Sequence, residues 1–252
     1  MEEQIPKIIH YCWFGGKELP EKEKKCIETW KKVLPDYELK FWSEESFDVN
    51  SNCWTKSAYE MKKYAFVSDY VRIWALYQYG GLYLDTDVKV LKSFDDLLEN
   101  GLFACFEDLA GTTVATCVIG ARKNHPVIAN MLQYYKKSFD MSIIEQNIAN
   151  VVYFTEQLKS RGLQKNGRLQ RLDENIVIFP RTYFCPMDYF GNWDMTENTY
   201  CIHYFSGSWL PEEELKKHKR RNTALFHVLK IFYGKLKHFK VIEKIRLKIK
   251  KV

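Results

Sequence analysis

The segment Gly80–Val90, GGLYLDTDVKV, joins a helix-like stretch directly to a strand-like one. Upstream, residues 57–79 contain no Gly or Pro and repeat apolar side chains at helical spacing, which predicts one long helix ended by Gly80 and Gly81. The apolar residues 82–84 that follow predict a buried strand. A helix that passes into a strand with almost no connecting loop is typical of α/β folds, in which the two pack on each other.

Strands and helices continue to alternate along the rest of the chain. Residues 7–11 predict a first strand and residues 37–42 a second. Between them, residues 21–34 predict a helix bounded by Pro20 and Pro35. Further strands are predicted over VKVL, GLFACFED, ATCVIGARK, NIVIFP and NTYCIHYF, and further helices over PVIANMLQYYKKSF and NIANVVYFTEQLKS. This order, which contains no internal repeat, predicts an α/β fold with a single mixed central sheet flanked by helices.

Composition excludes several classes of protein. Hydrophobic residues make up 46% of the 252 positions, which is enough for a sizeable core and argues against disorder. No apolar run approaches the roughly 20 residues of a membrane-spanning helix, and the start MEEQIPK lacks the features of a secretory signal. The seven cysteines are scattered and form no CxxC pair, which favours neither a disulfide framework nor a zinc knuckle. We therefore expect a protein of the reducing cytoplasm.

Charge is distributed very unevenly along the chain. Residues 216–252 contain 14 Lys or Arg and one acidic residue, Glu243, whereas residues 1–215 contain 24 basic and 31 acidic residues. This predicts a catalytic-type domain over 1–215 and a basic, amphipathic helical tail over 216–252. Such a tail suits an anionic membrane surface, with a merely solvated helical face as the alternative. Signals for nucleic-acid binding are missing, so nucleic acid is not an expected partner.

Two carboxylates, Asp85 and Asp87, close the strand that follows the glycine pair. In an extended segment residues i and i+2 project to the same side, so both carboxylates would converge while Thr86 faces away. Two negative charges at such a short distance are unfavourable unless a cation lies beside them. Hard ions such as Mg²⁺ or Mn²⁺ prefer carboxylate oxygens and bind phosphates at the same time. The pattern therefore favours a metal-diphosphate site, with a polar turn as the simpler alternative.

Asp69 and Arg72 lie on one face of the long predicted helix because they are three residues apart. The default interpretation of such a pair is a structural salt bridge. A buried pair close to other carboxylates has a second use, which is to hold the hydroxyls of a nucleotide sugar.

The segments IHYCWFGG, VSDYVRIWALYQYGGLYLDTDV and HYFSGSW together resemble the glycosyltransferases with a DXD sugar-binding region. That family includes bacterial capsule enzymes, yeast initiating mannosyltransferases and, more distantly, the glucosylating domain of large clostridial toxins. The resemblance covers roughly residues 5–210 in order. It implies a GT-A type fold, dependence on a divalent metal, and sugar transfer with retention of anomeric configuration.

The resemblance also implies roles for residues that bind the donor. Trp13 matches an aromatic side chain that stacks on the nucleobase, although a core tryptophan is the simpler interpretation. Asp69 and Arg72 match the pair that binds the donor sugar, and Tyr83 lies beside them in the motif. Asp85 is expected to contact ribose and sugar hydroxyls.

The metal and diphosphate positions follow in the same way. Asp87 is expected to bind the metal directly, and His203 falls where a second metal-proximal residue is found. An imidazole ligand suits Mn²⁺ better than Ca²⁺. Ser206, Ser208 and Trp209 belong to the segment that would close over the diphosphate, with Trp209 donating to the leaving group.

The sequence thus predicts a hexosyltransferase that uses Mn²⁺, or Mg²⁺, and a nucleotide sugar, with a UDP-sugar favoured as donor. The expected acceptor is a surface glycan such as a capsular polysaccharide, or its lipid-linked precursor, and the expected location is the inner face of the plasma membrane. Alternatives are transfer to a protein acceptor, a metal-dependent phosphoesterase, and a non-catalytic binding protein with a basic tail.

Overall fold

A seven-stranded mixed sheet forms the centre of the molecule in the computed structural model, which describes residues 4–140, 150–187 and 192–207. The strand order is β2-β1-β3-β6-β5-β8-β7. The bounds are β1 Ile8–Cys12, β2 Glu38–Trp42, β3 Gly81–Leu84, β5 Leu102–Cys105, β6 Val118–Ala121, β7 Gln170–Leu172 and β8 Ile176–Phe179. Strands β4, Val88–Val90, and β9, Cys201–His203, form a separate two-stranded sheet.

Five α-helices flank the sheet among the described residues, together with two short 3₁₀ turns. The helices are α1 Glu21–Val33, α2 Cys53–Glu60, α3 Tyr64–Tyr79, α4 Pro126–Tyr134 and α5 Asn150–Lys159, and the turns are Asp95–Leu97 and Arg181–Tyr183. The predicted α/β class with a mixed central sheet flanked by helices is confirmed. One strand, β7, was missed because its sequence, QRL, has no apolar alternation.

Alternating side chains on the strands divide the core between the two faces of the sheet. On β3, Leu82 and Leu84 belong to one buried cluster and Tyr83 to the other, as the period of two requires. The Tyr83 cluster includes Val71 of α3, and the Leu82 cluster includes Trp30 of α1. The sheet is therefore covered by helices on both sides, and its buried strands present charged groups only where they end.

Gly80 and Gly81 make the direct passage from α3 into β3 possible. Gly80 caps α3 at φ 66°, and its N–H donates to the carbonyl of Leu76 at 2.9 Å. Gly81 has φ 103°, and a Cβ there would lie 2.5 Å from the carbonyl oxygen of Ile8. A side chain at Gly81 would push β3 away from β1, and a Cβ at Gly80 would lie 2.7 Å from the backbone nitrogen of Lys123, just after β6. The glycine pair therefore fixes the start of the strand that leads to Asp85.

The predicted single helix over 57–79 is wrong, because the chain forms α2 and α3 with a break at residues 61–63. The break is a left-handed residue, Lys62, at φ 57°. The N–H of Lys63 donates back to the carbonyl of Ala58 at 2.8 Å, which is the hydrogen bond that ends many helices. Neither Gly nor Pro marks this break, and the apolar periodicity of the sequence continues across it. The sequence pattern therefore did not predict where α2 ends.

The elements described above all belong to one compact unit, formed by residues 1–188 with 193–209. The predicted basic tail over 216–252 and its boundary lie outside the described residues and stay predictions. Within the described part of the chain, every helix is too short or too polar to cross a lipid bilayer.

Candidate active site

Several strands end at one edge of the sheet, and the candidate site lies there. Strands β1, β3 and β5 run in the same direction relative to the antiparallel strand β6. The residues that follow them, Trp13, Asp85 and Glu107, therefore leave the sheet at the same edge. Carboxyl ends of strands are where α/β folds collect ligands, so the topology gathers residues that are distant in sequence.

Asp85, Thr86 and Asp87 form a turn between β3 and β4. The N–H of Val88 donates to the carbonyl of Asp85 at 3.0 Å, and the N–H of Asp85 donates to the carbonyl of Cys117 at 2.9 Å. The extended geometry expected for these residues is therefore wrong, although the predicted convergence of the two carboxylates is confirmed. A turn brings Asp87 back toward Asp85 and leads at once into β4, which pairs with β9.

The pairing of β4 with β9 brings His203 to Asp87. Val88 lies opposite His203 in the antiparallel register. The Nε2 atom of His203 lies 3.4 Å from Oδ1 of Asp87 and 3.9 Å from Oδ2 of Asp85. One ligand atom from each of the three residues lies within 4.8 Å of the others. The structure thus places the two residues predicted as metal ligands, Asp87 and His203, beside Asp85.

Arg72 links Asp69 and Asp85. One of its terminal nitrogens, Nη2, lies 3.0 Å from Oδ1 of Asp69 and 3.3 Å from Oδ1 of Asp85. The other, Nη1, donates to the carbonyl and hydroxyl oxygens of Thr116 at 2.9 and 3.1 Å. Tyr83 lies under the guanidinium, 4.5 Å from ring centroid to Cζ, and its hydroxyl donates to Asp85 at 2.9 Å. The predicted Asp69–Arg72 pair is therefore a buried ion pair within the site.

Asn150 and Thr116 complete this network, and sequence reasoning missed both. The side-chain amide of Asn150 donates to Oδ1 of Asp69 at 2.8 Å, and the Thr116 hydroxyl donates to the amide oxygen of Asn150 at 3.3 Å. Polar residues at the start of a helix or strand are common, so no local signal singles them out. Burial raises the pKa of Asp69 to about 6, while Arg72 and Asn150 favour the ionised carboxylate.

Ser206 and Lys22 lie on the open side of Asp87. The backbone N–H of Ser206 donates to Oδ2 of Asp87 at 2.7 Å, and the Ser206 hydroxyl accepts from Nζ of Lys22 at 2.9 Å. The ammonium of Lys22 also lies 4.6 Å from the ring centroid of Tyr204. Lys22 was not predicted, because it belongs to a run of charged residues on α1. The other two predicted diphosphate residues, Ser208 and Trp209, lie outside the described residues.

Trp13 lies at the same edge, one residue after β1. Its indole is half-buried, and Nε1 donates to the carbonyl of Lys17 at 2.7 Å. Its backbone N–H donates to the carbonyl of Trp42 at 3.0 Å, which continues the pairing of β1 with β2. Trp13 is therefore not a core tryptophan, and part of its ring faces solvent.

The ionisable groups around His203 have strongly displaced pKa values. Burial disfavours the imidazolium, but the facing groups of Cys117 and Asp87 outweigh it and raise the pKa of His203 well above its ordinary value. Burial alone would raise the pKa of Asp87, but His203 and the Ser206 N–H lower it below its usual range. Burial raises the pKa of Asp85 against the opposing influence of Arg72 and His203. Asp87 is therefore the carboxylate most firmly held in its charged form.

Glu107 is a further carboxyl group at this edge. It directly follows Phe106 after β5, and burial raises its pKa, with the charges of His203, Asp85 and Arg72 also acting on it. The sequence indicated only a strand over GLFACFED and gave no reason to single out its glutamate. Glu107 is thus a third carboxyl group that His203 influences electrostatically, in addition to Asp85 and Asp87.

The donor atoms at Asp85, Asp87 and His203 fit a hard or borderline divalent cation. Carboxylate oxygens and an imidazole nitrogen are ligands that Mn²⁺ accepts, and carboxylates with water suit Mg²⁺. The neighbouring carboxylate of Asp87 raises the pKa of His203 and so favours its charged form. A cation bound by His203 would compete with that proton, because an imidazole ligand is neutral.

Residues 20–104 match the family described as a glycosyltransferase sugar-binding region containing a DXD motif. Inositol phosphoceramide mannosyltransferase 3 of Schizosaccharomyces pombe is 34% identical over 137 residues, which are 51% of this chain and 36% of that protein. An uncharacterized glycosyltransferase of Acanthamoeba polyphaga mimivirus is 26% identical over 236 residues, 89% of this chain and 92% of the viral protein. Among solved structures, PaToxG glycosyltransferase is similar with a TM-score of 0.49 and 24% identity, covering 63% of this chain and 70% of that one.

The matched region contains Asp69, Arg72, Asp85 and Asp87, whereas Trp13 and the residues around β9 lie outside it. The family resemblance seen in the sequence is therefore confirmed for the segment with the most specific motif. The chain spans little more than a third of the length of the Schizosaccharomyces pombe relative.

Proposed function

The chain carries in residues 20–104 the sugar-binding region of the DXD glycosyltransferases, and on that premise we propose that it transfers a hexose from a nucleotide sugar to a glycan or a lipid-linked glycan precursor. The donor that we favour is a UDP-sugar. The transfer proceeds with retention of anomeric configuration and depends on a divalent cation, Mn²⁺ in preference to Mg²⁺.

One observation carries the proposal, which is the convergence of Asp85, Asp87 and His203 beside the Asp69–Arg72 pair. Their donor atoms come together from a turn, a two-stranded sheet and a helix. Paired carboxylates of this kind attract a cation, and a cation at a strand end suits a diphosphate. Arg72 and Asp69 supply donors and acceptors next to that position, which suits the hydroxyls of a sugar.

Each of the described site residues contacts a different part of the proposed donor. Trp13, half-buried at the end of β1, offers an aromatic face to the nucleobase. The second oxygen of Asp85, Oδ2, faces ribose and sugar hydroxyls, while Tyr83 and Arg72 hold its Oδ1. Asp69 and Arg72 contact the sugar itself. Because these side chains are buried and hydrogen-bonded before the donor arrives, little ordering entropy is lost on binding.

Asp87 and His203, with Asp85 alongside, would hold the cation. When bound, it supplies Lewis-acid stabilisation of the negative charge that develops on the departing diphosphate. Ser206 keeps Asp87 oriented through its backbone N–H, and Lys22 adds a second positive charge next to Ser206. Ser208 and Trp209, which follow in the sequence, are proposed as further donors to the diphosphate oxygens.

The acceptor is proposed from chemistry and from the names of the relatives. An inositol phosphoceramide mannosyltransferase acts on a lipid, as its name states, and the basic residues 216–252 of this chain suit an anionic membrane. We therefore place the enzyme at a membrane surface, with a lipid-linked acceptor preferred to a protein. Sedimentation with anionic vesicles, abolished by high salt and not seen with zwitterionic vesicles, is the expected result. Sedimentation independent of lipid charge would contradict it.

The test of the activity is donor hydrolysis by the full chain, offered a panel of UDP- and GDP-sugars that includes a mannose donor. We expect turnover of one donor, dependent on Mn²⁺, and a loss of roughly 100- to 1,000-fold in Asp87→Asn, because one ligand of the cation is removed. Asp108→Asn is the matched control, since among the described residues that carboxylate binds its own loop, at Thr112 and Thr113.

Three other outcomes would contradict the proposal. Turnover of simple phosphate esters, with no preference for nucleotide sugars, would favour the phosphoesterase. Indifference of the folded protein to every donor, with or without Mn²⁺, would favour a binding protein. The proposal includes direct front-face displacement, because no residue of the sequence stands out as a covalent nucleophile. A trapped covalent glycosyl-enzyme adduct would replace that route by a two-step one and leave the reaction class intact.

A further inference from the structure

A cluster of buried thiols lies beside His203, and the proposed transfer reaction gives it no role. Cys117 directly precedes β6, and Cys185 follows the turn Arg181–Tyr183. Both are buried free thiols, and their sulfur atoms lie 3.5 Å apart. A third buried thiol, Cys105, has its sulfur 3.8 Å from that of Cys185. These residues are distant in sequence and meet only in the folded chain.

The spacing of these sulfur atoms suits a thiophilic metal ion. Two thiolates bound to one tetrahedral zinc ion at about 2.3 Å stand about 3.8 Å apart. One ligand atom each from Cys117, Cys185 and His203 lies within 4.8 Å of the other two. Two sulfurs and one imidazole nitrogen are a common donor set for zinc and are unlike the oxygen donors of Asp85 and Asp87.

A second observation points to a ligand at this position. The Nδ1 atom of His203 is buried and has no hydrogen-bond partner among the residues that the structure describes, whereas Nε2 faces Asp87 and Asp85. A buried polar nitrogen without a partner is costly, and a metal ion is one way to satisfy it.

We propose that Cys117, Cys185 and His203 form a second metal site, selective for a thiophilic ion such as Zn²⁺ or Cd²⁺, that shares His203 with the Asp85–Asp87 site. A neutral imidazole has one nitrogen lone pair free for a metal, because its other nitrogen carries the proton. His203 therefore serves one ion at a time. When the thiol site is occupied, His203 is no longer available to bind the hard cation at Asp85 and Asp87. A thiophilic ion therefore inhibits the proposed transfer reaction without resembling the nucleotide-sugar donor.

The first experiment titrates Cd²⁺ into the freshly reduced full chain and follows the ultraviolet sulfur-to-cadmium charge-transfer band. We expect one Cd²⁺ per chain, and binding weaker by roughly 10- to 100-fold or more in Cys185→Ser. Cys201→Ser is the matched control, because Cys201 is also buried and near His203 but contacts the carbonyl of Phe184 instead. No band in the wild type, or equal affinity in Cys185→Ser, would overturn the site.

A second readout does not depend on any variant folding. X-ray absorption of the wild-type chain loaded with one Zn²⁺ is expected to show two sulfur ligands and at least one nitrogen, and a shell of oxygen and nitrogen alone would refute the site.

The competition rests on the proposed function and is measured separately. Cd²⁺ is expected to release bound Mn²⁺ from the wild type, detected by the return of the free-ion spin-resonance signal, and to release much less from Cys185→Ser. A thiolate band without Mn²⁺ release would overturn the sharing of His203, whereas absence of Mn²⁺ binding from the start would count against the proposed function alone.

Discussion

The two halves of the candidate site differ in how far the chain satisfies its own charges. On one side, both terminal nitrogens of Arg72 are bound, by Asp69, Asp85 and Thr116, and only its buried Nε has no hydrogen-bond partner among the described residues. On the other side, Nδ1 of His203 has no hydrogen-bond partner in the described part of the chain, and its Nε2 lies 3.4 Å or more from the carboxylates. The charges of the first half are thus paired within the chain, whereas those of the second half are balanced only with a proton or a cation. Such a division suits a site where the fold prepares the sugar position and a bound ion prepares the diphosphate position.

The largest expected effect is on stability, in the half that the chain completes by itself. Arg72→Met leaves two buried carboxylates without their common partner, and should lower the free energy of unfolding by about 3–5 kcal/mol. Urea denaturation at neutral pH measures it. Arg161→Met is the control, because its pair with Glu174 is more exposed and is worth about 1 kcal/mol or less. Equal losses in the two variants would mean that the Arg72 network is not the stronger structural element.

The next largest effect is expected in the half of the candidate site that contains His203. His203→Gln should raise the Mn²⁺ concentration for half-maximal donor turnover by roughly 10- to 100-fold, because an imidazole ligand is lost. His125→Gln is the matched control, since His125 is also buried but caps α4 at the other edge of the sheet. An unchanged Mn²⁺ requirement in His203→Gln would show that His203 is not a ligand.

The two halves should also respond to pH with opposite sign. The folded-state pKa of Asp69 is raised to about 6, so between about pH 4 and 6 the folded chain holds a proton that the unfolded chain has released. The stability contributed by Asp69 is therefore complete at low pH and lost as pH rises through about 6. Asp69→Asn should remove this decrease, which we expect to be roughly 1–3 kcal/mol.

Asp87 provides the contrast, because its folded-state pKa is lowered. Its contribution to stability is present above the unfolded value and is lost as pH falls, so Asp87→Asn should be less stable than the wild type at neutral pH and converge with it in acid. Urea denaturation across pH 2–7 compares both variants with the wild type, because the contribution of Asp87 is lost only below its unfolded value of about 4. Parallel pH profiles for the two would contradict the contrast.

The smallest effect is expected at Lys22, an exposed residue at the periphery of the candidate site. Lys22→Met removes the ammonium that binds Ser206 and should raise the KM for the donor about two- to fivefold, with kcat nearly unchanged, as for an exposed charge. Lys24→Met on the same helix is the control, because the ion pairs of Lys24 within the described part of the chain are with Glu18 and Glu21. A large fall in kcat would place Lys22 among the catalytic groups instead.

Much of the fold was readable from local patterns, and the exceptions have local causes. Period-two apolar runs gave most strands, and the glycine pair gave the passage from α3 to β3, where its left-handed geometry is required. The helix break at Lys62 was missed because a lysine can adopt a left-handed conformation without any sequence signal. The polar strand β7 was missed because pairing with β8, and not its own composition, makes it a strand.

For the candidate site as well, local sequence patterns predicted only the contacts between residues that are close together in the chain. Asp69 with Arg72, and Asp85 with Asp87, are close in sequence, so helical and turn geometry alone brings each pair together. The amide of Asn150 and the carboxyl of Glu107 come from other elements, and no spacing rule connects them to those pairs.

The sequence by itself determined the class of the fold, the buried strand that ends in paired carboxylates, and the family of the segment that contains them, because these depend on residues close together in the chain. Only the tertiary structure decided what faces those carboxylates. Pairing of β4 with β9 brings Asp87 to the backbone of Ser206, 119 positions away, and places His203 between the carboxylates and the thiols of Cys117 and Cys185. Contacts of this kind depend on strand order and register, which are set by the packing of the whole sheet.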